Sequence, residues 1–324
     1  TGSELAITGV GHQPDWVWLK RRDGSGNHNL YDAVRGVTKY LESSATSPEQ
    51  TQQYGLTTFG TDGFTLGSNA NMNGNGQSFV SWNWKAGTGQ GSSNTDGSIN
   101  TTYTSANTTA GFSISKYTGT GSSATIGHGL GASPDVVIIK KTSAAEDWNF
   151  QTSALGYGNY LVLNGTGASS SAGGGLVSAV SSTTVTVDSN SYVNSSGATY
   201  VMYCFAEKTG YSKFGKYIGN GNADGTFVYT GFKPALIIIK STGYSENWFI
   251  FDNKRPGYNL NANHLNPNSS TSETASSANT MDILSNGFKM KATNNGINRS
   301  GDTFIYAAFG QSLVGSNNVP CTAR

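Results

Sequence analysis

Gly11-His12-Gln13-Pro14-Asp15-Trp16-Val17-Trp18-Leu19-Lys20 decides the fold, because the pattern occurs three times. It returns from Gly131 through Pro134 to Lys140, with Val136-Val137-Ile138-Ile139 between, and from Gly231 through Pro234 to Lys240, with Leu236-Ile237-Ile238-Ile239. Proline is tolerated at the first residue of a strand, where no ladder donor is required. The β-branched and aromatic run after it reads as a strand buried on both faces. A fixed repeat is the first thing to establish in any chain, since it determines how the rest is divided.

A second anchor closes each copy: Asn73 to Gly76, then Phe79-Val80; Asn194 to Gly197, then Tyr200-Val201; Asn298 to Gly301, then Phe304-Ile305. Asn at the first place and Gly at the fourth suit a type I turn with a left-handed exit, a common hairpin loop. An aromatic strand follows each turn, carrying Trp82 and Trp84, Tyr203 and Phe205, or Tyr306 and Phe309. An alternating strand precedes it, marked by Phe64 and Leu66, Val185 and Val187, or Phe288 and Met290. From the proline to the closing asparagine the copies measure 59, 60 and 64 residues.

A third anchor, Lys116-Tyr117-Thr118-Gly119-Thr120-Gly121, matches Lys216-Tyr217-Ile218-Gly219-Asn220-Gly221. Copy one lacks this opening strand, so residues upstream of Thr1 are expected in a longer natural polypeptide. The reading is therefore all-β: three tandem antiparallel β-sandwich repeats, jelly-roll-like, of about 100 residues and six to eight strands each. Residues 1–86 form the first, 112–209 the second and 210–324 the third. The Gly/Ser/Asn/Thr-rich stretch 87–111 is expected to be a flexible linker, with added strand pairing over Ser98–Asn107. The short connection Glu207–Gly215 predicts that copies two and three pack closely while copy one is joined loosely. Ser47-Pro48-Glu49-Gln50 carries an N-cap and a first-turn proline, enough for one or two helical turns.

Composition narrows the function classes. Hydrophobic residues are 35% and charged residues 12% of 324, with 43 Gly and abundant Tyr, Phe and Trp. Such aromatic content with a net charge of +1 argues against disorder. With 20 basic and 19 acidic residues there is no field to hold a nucleic-acid backbone. No apolar run approaches the ~20 residues that cross a bilayer, so membrane insertion is not expected. Two cysteines cannot build a disulfide framework. Low charge, many hydroxyls and amides, and abundant aromatics suit an extracellular or virion-surface β protein.

The anchors resemble an uncharacterised repeat-domain family of tailed-phage virion structural proteins, frequent in marine and cyanobacterial phages. Gly63–Asn69 with Trp82–Lys85, Ser93–Ser98 with Ala110–Ser113, Tyr203–Glu207 with Phe214–Tyr217, and the ending Val319–Arg324 look especially like it. The resemblance spans nearly the whole chain. It implies a non-enzymatic protein of the virion surface, part of a tail fibre or appendage, whose loops meet a host-surface glycan or receptor. Its partners would be other virion proteins. A head decoration protein that stabilises the capsid and a glycan depolymerase are the alternatives. Two assemblies stay open: a trimer, as in phage fibres, or a pseudo-symmetric arrangement of the three units of one chain. The family carries no established catalytic residues, so none is transferred.

Few residues are candidates for chemistry. Trp148 and Trp248, each two residues after Glu146 and Glu246, are the candidates for glycan stacking beside a carboxylate. Their recurrence equally suits repeat-wide core packing. Paired carboxylates facing one sugar would be needed for hydrolysis, and no motif supplies them. His12, His28, His128 and His264 occupy no equivalent positions and suggest no metal cluster. Cys204 reads as core, and Cys321 has no partner in the pattern. Gly119-x-Gly121 and Gly219-x-Gly221 lack the helix that a phosphate loop requires, and read as turns. Asp188 to Asn190 and Asp224 to Thr226 are oxygen-rich but fall short of a Ca²⁺ ligand count, so Asx-type turns account for them. No catalytic residue, metal or cofactor is expected.

Overall fold

The fold is all-β, built of several antiparallel sheets. The structure, a computed structural model, describes residues 2–171 and 176–310. Copy one runs β1 (Leu5–Thr8), β2 (Trp16–Arg21), β3 (Asn29–Asp32), β4 (Lys39–Glu42), β5 (Gln50–Thr51), β6 (Leu56–Gly60), β7 (Gly63–Leu66), α1 (Ala70–Asn73) and β8 (Phe79–Trp84). β9 (Tyr103–Asn107) follows. Copy two runs β10 (Phe112–Thr118), β11 (Ala124–Gly127), β12 (Val136–Lys141), β13 (Asn149–Thr152), β14 (Asn159–Val162), β15 (Ser170–Ser171), β16 (Val177–Val180), β17 (Thr184–Val187), α2 (Ser191–Asn194) and β18 (Thr199–Phe205). Copy three runs β19 (Ser212–Ile218), β20 (Phe227–Tyr229), β21 (Pro234–Ser241), β22 (Phe249–Asp252), β23 (Asn263–His264), β24 (Thr274–Ala275), β25 (Met281–Leu284), β26 (Gly287–Met290), α3 (Asn295–Asn298) and β27 (Thr303–Gly310).

One pairing scheme recurs. A three-stranded sheet has the order β1-β7-β6, β11-β17-β16 or β20-β26-β25. The larger sheet pairs the proline-anchored strand with the closing strand in the same register: Trp16↔Trp84, Val136↔Phe205 and Leu236↔Phe309. Inward residues of both sheets meet in each copy's core. In copy one these are Val17, Leu19 and Tyr31 against Leu56, Phe64 and Leu66. Copy two packs Val137, Ile139 and Met202 against Ile126, Val185 and Val187, and copy three Ile237, Ile239 and Phe304 against Val228, Phe288 and Met290. Among the described residues copies two and three hold nine strands each, more than expected: short β15 extends the larger sheet of copy two, and short β23 and β24 pair with each other in copy three.

The closing anchor is not a hairpin. It carries the chain from the small sheet to the large one, through one helical turn capped by Asn69, Asn190 or Asn294. Four residues are too few to show a helical period in sequence. The left-handed glycines are present: Gly76, Gly197 and Gly301 have φ of 71°, 72° and 74°. The Asn that recurs in each copy is a clamp. Asn298 Nδ2 donates to Asn222 O (2.9 Å) and Ala292 O (2.8 Å), and its Oδ1 accepts from Asn220 N (3.0 Å).

By compactness the chain divides into two units, one of residues 1–206 with 267–273, the other of 207–266 with the chain from Thr274 onward. Copy one is thus not loosely joined: copies one and two share the first unit. Trp16 stacks on Tyr203 (centroids 4.6 Å) and on Phe112 (5.7 Å), both of copy two. This is why β2 is buried on both faces: Val17 and Leu19 fill the core of copy one, while on the other face Trp16 meets copy two and Trp18 packs on His28 and Trp82. The stretch 87–111 is no flexible linker either. The buried Asp15 carboxylate accepts from the amides of Ala86 (2.8 Å), Thr88 (3.0 Å) and Gly89 (2.7 Å), and β9 pairs along β10. Residues 47–50 are not helical. Residues 47–49 form no regular element, Gln50 opens β5, and Glu49 N donates to Thr142 O (3.0 Å), reaching copy two.

Candidate functional site

Trp148 and Trp248 are 0% and 1% exposed. Trp148 Nε1 donates to Glu42 O (2.8 Å) and its ring lies parallel to Tyr203. A sugar cannot reach either ring face, so the stacking role is withdrawn in favour of core packing. Glu146 and Glu246 fall in different units, and each is half-buried beside its tryptophan. Glu146 acts through its backbone: its N donates to Thr46 O (2.9 Å) and its O accepts from Lys140 Nζ (2.9 Å).

That last bond belongs to a feature the sequence displays but does not explain. The lysine ending each anchor strand, Lys20, Lys140 and Lys240, is fully buried. Lys140 Nζ is held by three carbonyls, of Thr46 (3.1 Å), Lys141 (3.1 Å) and Glu146 (2.9 Å). Lys20 Nζ donates to Arg21 O (2.7 Å) and Ser270 O (3.4 Å), Lys240 Nζ to Ser241 O (2.8 Å) and Tyr244 O (3.5 Å). Burial pulls each ammonium down to about 8. The cages tie loops to strands; they offer no open coordination position to a ligand.

A second buried network joins copies one and two. Arg35 Nε pairs with Asp32 Oδ2 (2.5 Å), Arg35 Nη2 donates to Leu30 O (2.9 Å), and Tyr203 Oη donates to Asp32 Oδ2 (2.6 Å). Burial, then the Asp32 charge, raises the Tyr203 phenol far above its ordinary value. Fully enclosed, this network positions β3 against β18 and meets no solvent.

The other expected groups are structural as well. Cys204 is buried and its thiol is pushed up by burial; Cys321 and the ending Val319–Arg324 lie outside the described residues. His28 Nδ1 accepts from Trp18 Nε1 (2.8 Å), and burial lowers His12 and His128. Among the described residues no three His, Cys, Asp or Glu side chains gather as metal ligands. Asn190 caps α2, and the Asp224 carboxylate pairs with Lys289 (2.5 Å), whose hydrogen bond holds it below the usual range. Gly119 and Gly219 pass against the backbone beyond α2 and α3, where a Cβ would meet Ser195 O at 2.4 Å and Arg299 O at 2.3 Å. An open cleft of about 300 Å³ beside Gly87, Gly91, Asn94, Thr104 and Gly129 has no ionisable lining group.

What remains is a surface. Along the edge strand β20, Phe227 and Tyr229 are 44% and 62% exposed, while Val228 between them is core. Cross-strand register sets Phe227 beside Lys289 and Asp282, and Tyr229 beside Gly287 and Leu284. Thr226 Oγ1 donates to Ile218 O (2.7 Å), which fixes the exposed Ile218 next to the start of β20. Gly287 leaves room for the Phe227 ring; a Cβ there would strike Val228 O and crowd that ring at 3.2 Å. The residues at the equivalent register are Ala6 and Thr8 on β1, and Thr125 and Gly127 on β11, where Asn94 covers Gly127. The signal in the sequence is a departure from the repeat at surface positions, which the features common to the copies do not display. Chemically, this face presents aromatic carbon flanked by one ammonium and carboxylates, a combination that accepts the C–H face and hydroxyls of a sugar ring.

No curated protein and no solved structure matches the chain. Residues 1–312 match the family described as a domain of unknown function, DUF7483. The match takes in all the described strands of the three copies, and the chain belongs to that family.

Proposed function

We propose that the chain is a non-enzymatic structural protein of a tailed-phage virion, part of a tail fibre or surface appendage. In this reading it consists of three tandem jelly-roll-like β-sandwich units of about 100 residues, and the outward face of β20-β26-β25 meets a host-surface glycan. Its location is the virion surface and its structural partners are other virion proteins. The resemblance of the repeat anchors supplies the phage setting. The observation that carries the binding role is the exposed pair Phe227 and Tyr229, at a position where the other copies have Ala6 and Thr8 or Thr125 and Gly127. A folding requirement recurs in every copy, whereas a binding surface need appear only once. Rigid sheets presenting aromatic carbon suit recognition, since rings bury area with little loss of conformational freedom.

The test is retention of purified chain on host envelope glycan, beside a Phe227→Ser/Tyr229→Ser variant. Both side chains are exposed, so the variant should keep its melting temperature and lose binding at least tenfold. Equal binding by the variant, or none by the parent chain, would remove the assignment.

A further inference from the structure

The closing strands of the three copies are not equally paired. β18 lies between β12 and β10, and β27 between β21 and β19. β8 pairs with β2 and, among the described residues, with no strand on its other side. The burial follows: six of the seven residues of β18 are buried, but only Trp82 and Trp84 of β8. Arg22 N donates to Ser78 O (2.8 Å), which fixes the alternation of the ladder. Ser78, Val80, Trp82 and Trp84 turn their backbone groups toward β2, and Phe79, Ser81 and Asn83 turn theirs to the open side. In copy two the matching residues Tyr200, Met202 and Cys204 face β10.

The surroundings of that edge are already shaped for a neighbour. Gly121 N donates to Asn194 O (2.8 Å) and Gly221 N to Asn298 O (2.8 Å) as the chain leaves β10 and β19. Gly2 N makes the same bond to Asn73 O (2.9 Å), and Asn73 Nδ2 donates to Ser3 O as Asn194 Nδ2 does to Ser122 O. The neighbouring strands also share one side chain. Tyr117 Oη donates to Val193 O (2.7 Å) and its ring stacks on Tyr200 (5.2 Å); Tyr217 Oη donates to Ile297 O (2.6 Å) and stacks on Phe304 (5.1 Å). The corresponding groups of copy one are Met72 O and the half-buried ring of Phe79.

We propose that the free edge of β8 is a strand-acceptor site, taking an antiparallel polypeptide strand of the β10/β19 pattern whose carboxyl end comes to rest beside Gly2. The occupant alternates small or apolar residues and ends in Lys-Tyr-x-Gly. Its backbone pairs with Phe79, Ser81 and Asn83, and its tyrosine stacks on Phe79 and donates to Met72 O. Backbone pairing supplies affinity and the tyrosine supplies register, the usual division of labour in strand addition. An open edge of this kind is otherwise a liability that proteins cover.

The experiment adds a labelled peptide with the sequence of residues 111–119 to the full chain and follows amide exchange and binding. Binding should be saturable and should slow exchange at Phe79, Ser81 and Asn83 at least tenfold. The peptide carrying Phe in place of Tyr117 should bind several-fold more weakly. Ser81→Pro removes an outward N–H and no bond to β2, so it should keep the melting temperature and lose the peptide. A chain with residues 111–119 joined ahead of Thr1 should fill its own site and no longer take up free peptide. Absence of binding, or binding that Ser81→Pro or the joined strand leaves unchanged, overturns the proposal.

Discussion

Replacing Lys140 with Met keeps an unbranched stem of similar length and removes the ammonium from its cage. The carbonyls of Thr46, Lys141 and Glu146 then lose a donor at 2.9–3.1 Å. Thr46 O keeps the Glu146 amide as its donor, whereas the carbonyls of Lys141 and Glu146 lose theirs, at about 1–3 kcal/mol each or about 4 kcal/mol at mid-range. Met also removes the burden of a buried charge. The ammonium is drawn from 10.5 to about 8, which corresponds to about 3 kcal/mol. The difference leaves Lys140→Met about 1 kcal/mol less stable. For a unit of this size that lowers the melting temperature by about 2–4 °C. Because one of the carbonyls comes from copy one, the loss should also open the junction. Amide exchange at Glu49 and Glu146, whose N–H groups bond Thr142 O and Thr46 O, should quicken with it. Calorimetry with exchange mass spectrometry reads both, with Lys141→Met as the control, since Lys141 reaches the partly exposed Ser195 Oγ (3.1 Å) and should change stability by less than about 0.5 kcal/mol. A Lys140→Met chain as stable as the parent would refute the cage as a structural device.

The buried lysines also predict a pH profile. Their folded values near 8 lie below 10.5, so between those limits the unfolded chain holds more protons and stability rises with pH. Tyr117, Tyr203 and Tyr217 are raised above 10 by burial, so above pH 10 the unfolded chain loses protons first and stability falls. Urea midpoints should therefore peak between about pH 9 and 10; a steady decline from pH 7 would contradict this. Asp15→Ala frees the turn at Ala86–Gly89, and trypsin should then cut after Lys85 at least tenfold faster; an unchanged rate would show that the carboxylate does not hold the turn. Asn298→Ala removes the clamp on the β19–β20 turn and should cost about 1–3 kcal/mol in urea unfolding, since the buried Ala292 O loses its partner and Asn220 N and Asn222 O are released at the turn. A loss below about 1 kcal/mol would reduce the clamp to an exposed turn residue.

The strands were legible because their burial has the period of the backbone: Val17 and Leu19 on one face, Trp16 and Trp18 on the other, in a run bounded by Pro14 and Lys20. Register was legible from the repeat. Three things were hidden. The one-turn helices are shorter than any helical period, and only Asn69, Asn190 and Asn294 announce them. The stretch 87–111 has a linker's composition, yet Gly87, Gly91 and Gly97 are there because neighbouring backbone approaches too closely for a Cβ, at 2.8, 2.0 and 2.3 Å. Composition records the glycine and not the reason for it. The third is the burial of Trp148, which depends on residues 106 positions away, at Glu42, and so on a junction that no local pattern encodes. The surface of β20 was visible only as a mismatch: Phe227 and Tyr229 break the pattern that Thr125 and Gly127 keep.

The central claim is binding without turnover. It is tested most directly by incubating the full chain with host envelope polysaccharide while following bound protein and newly formed reducing ends together. The account predicts saturable binding that Tyr229→Ser weakens at least tenfold, with reducing ends no higher than in protein-free polysaccharide. Sustained release of reducing ends, lost when Glu146 or Glu246 is changed to Gln, would contradict it and make the chain a depolymerase.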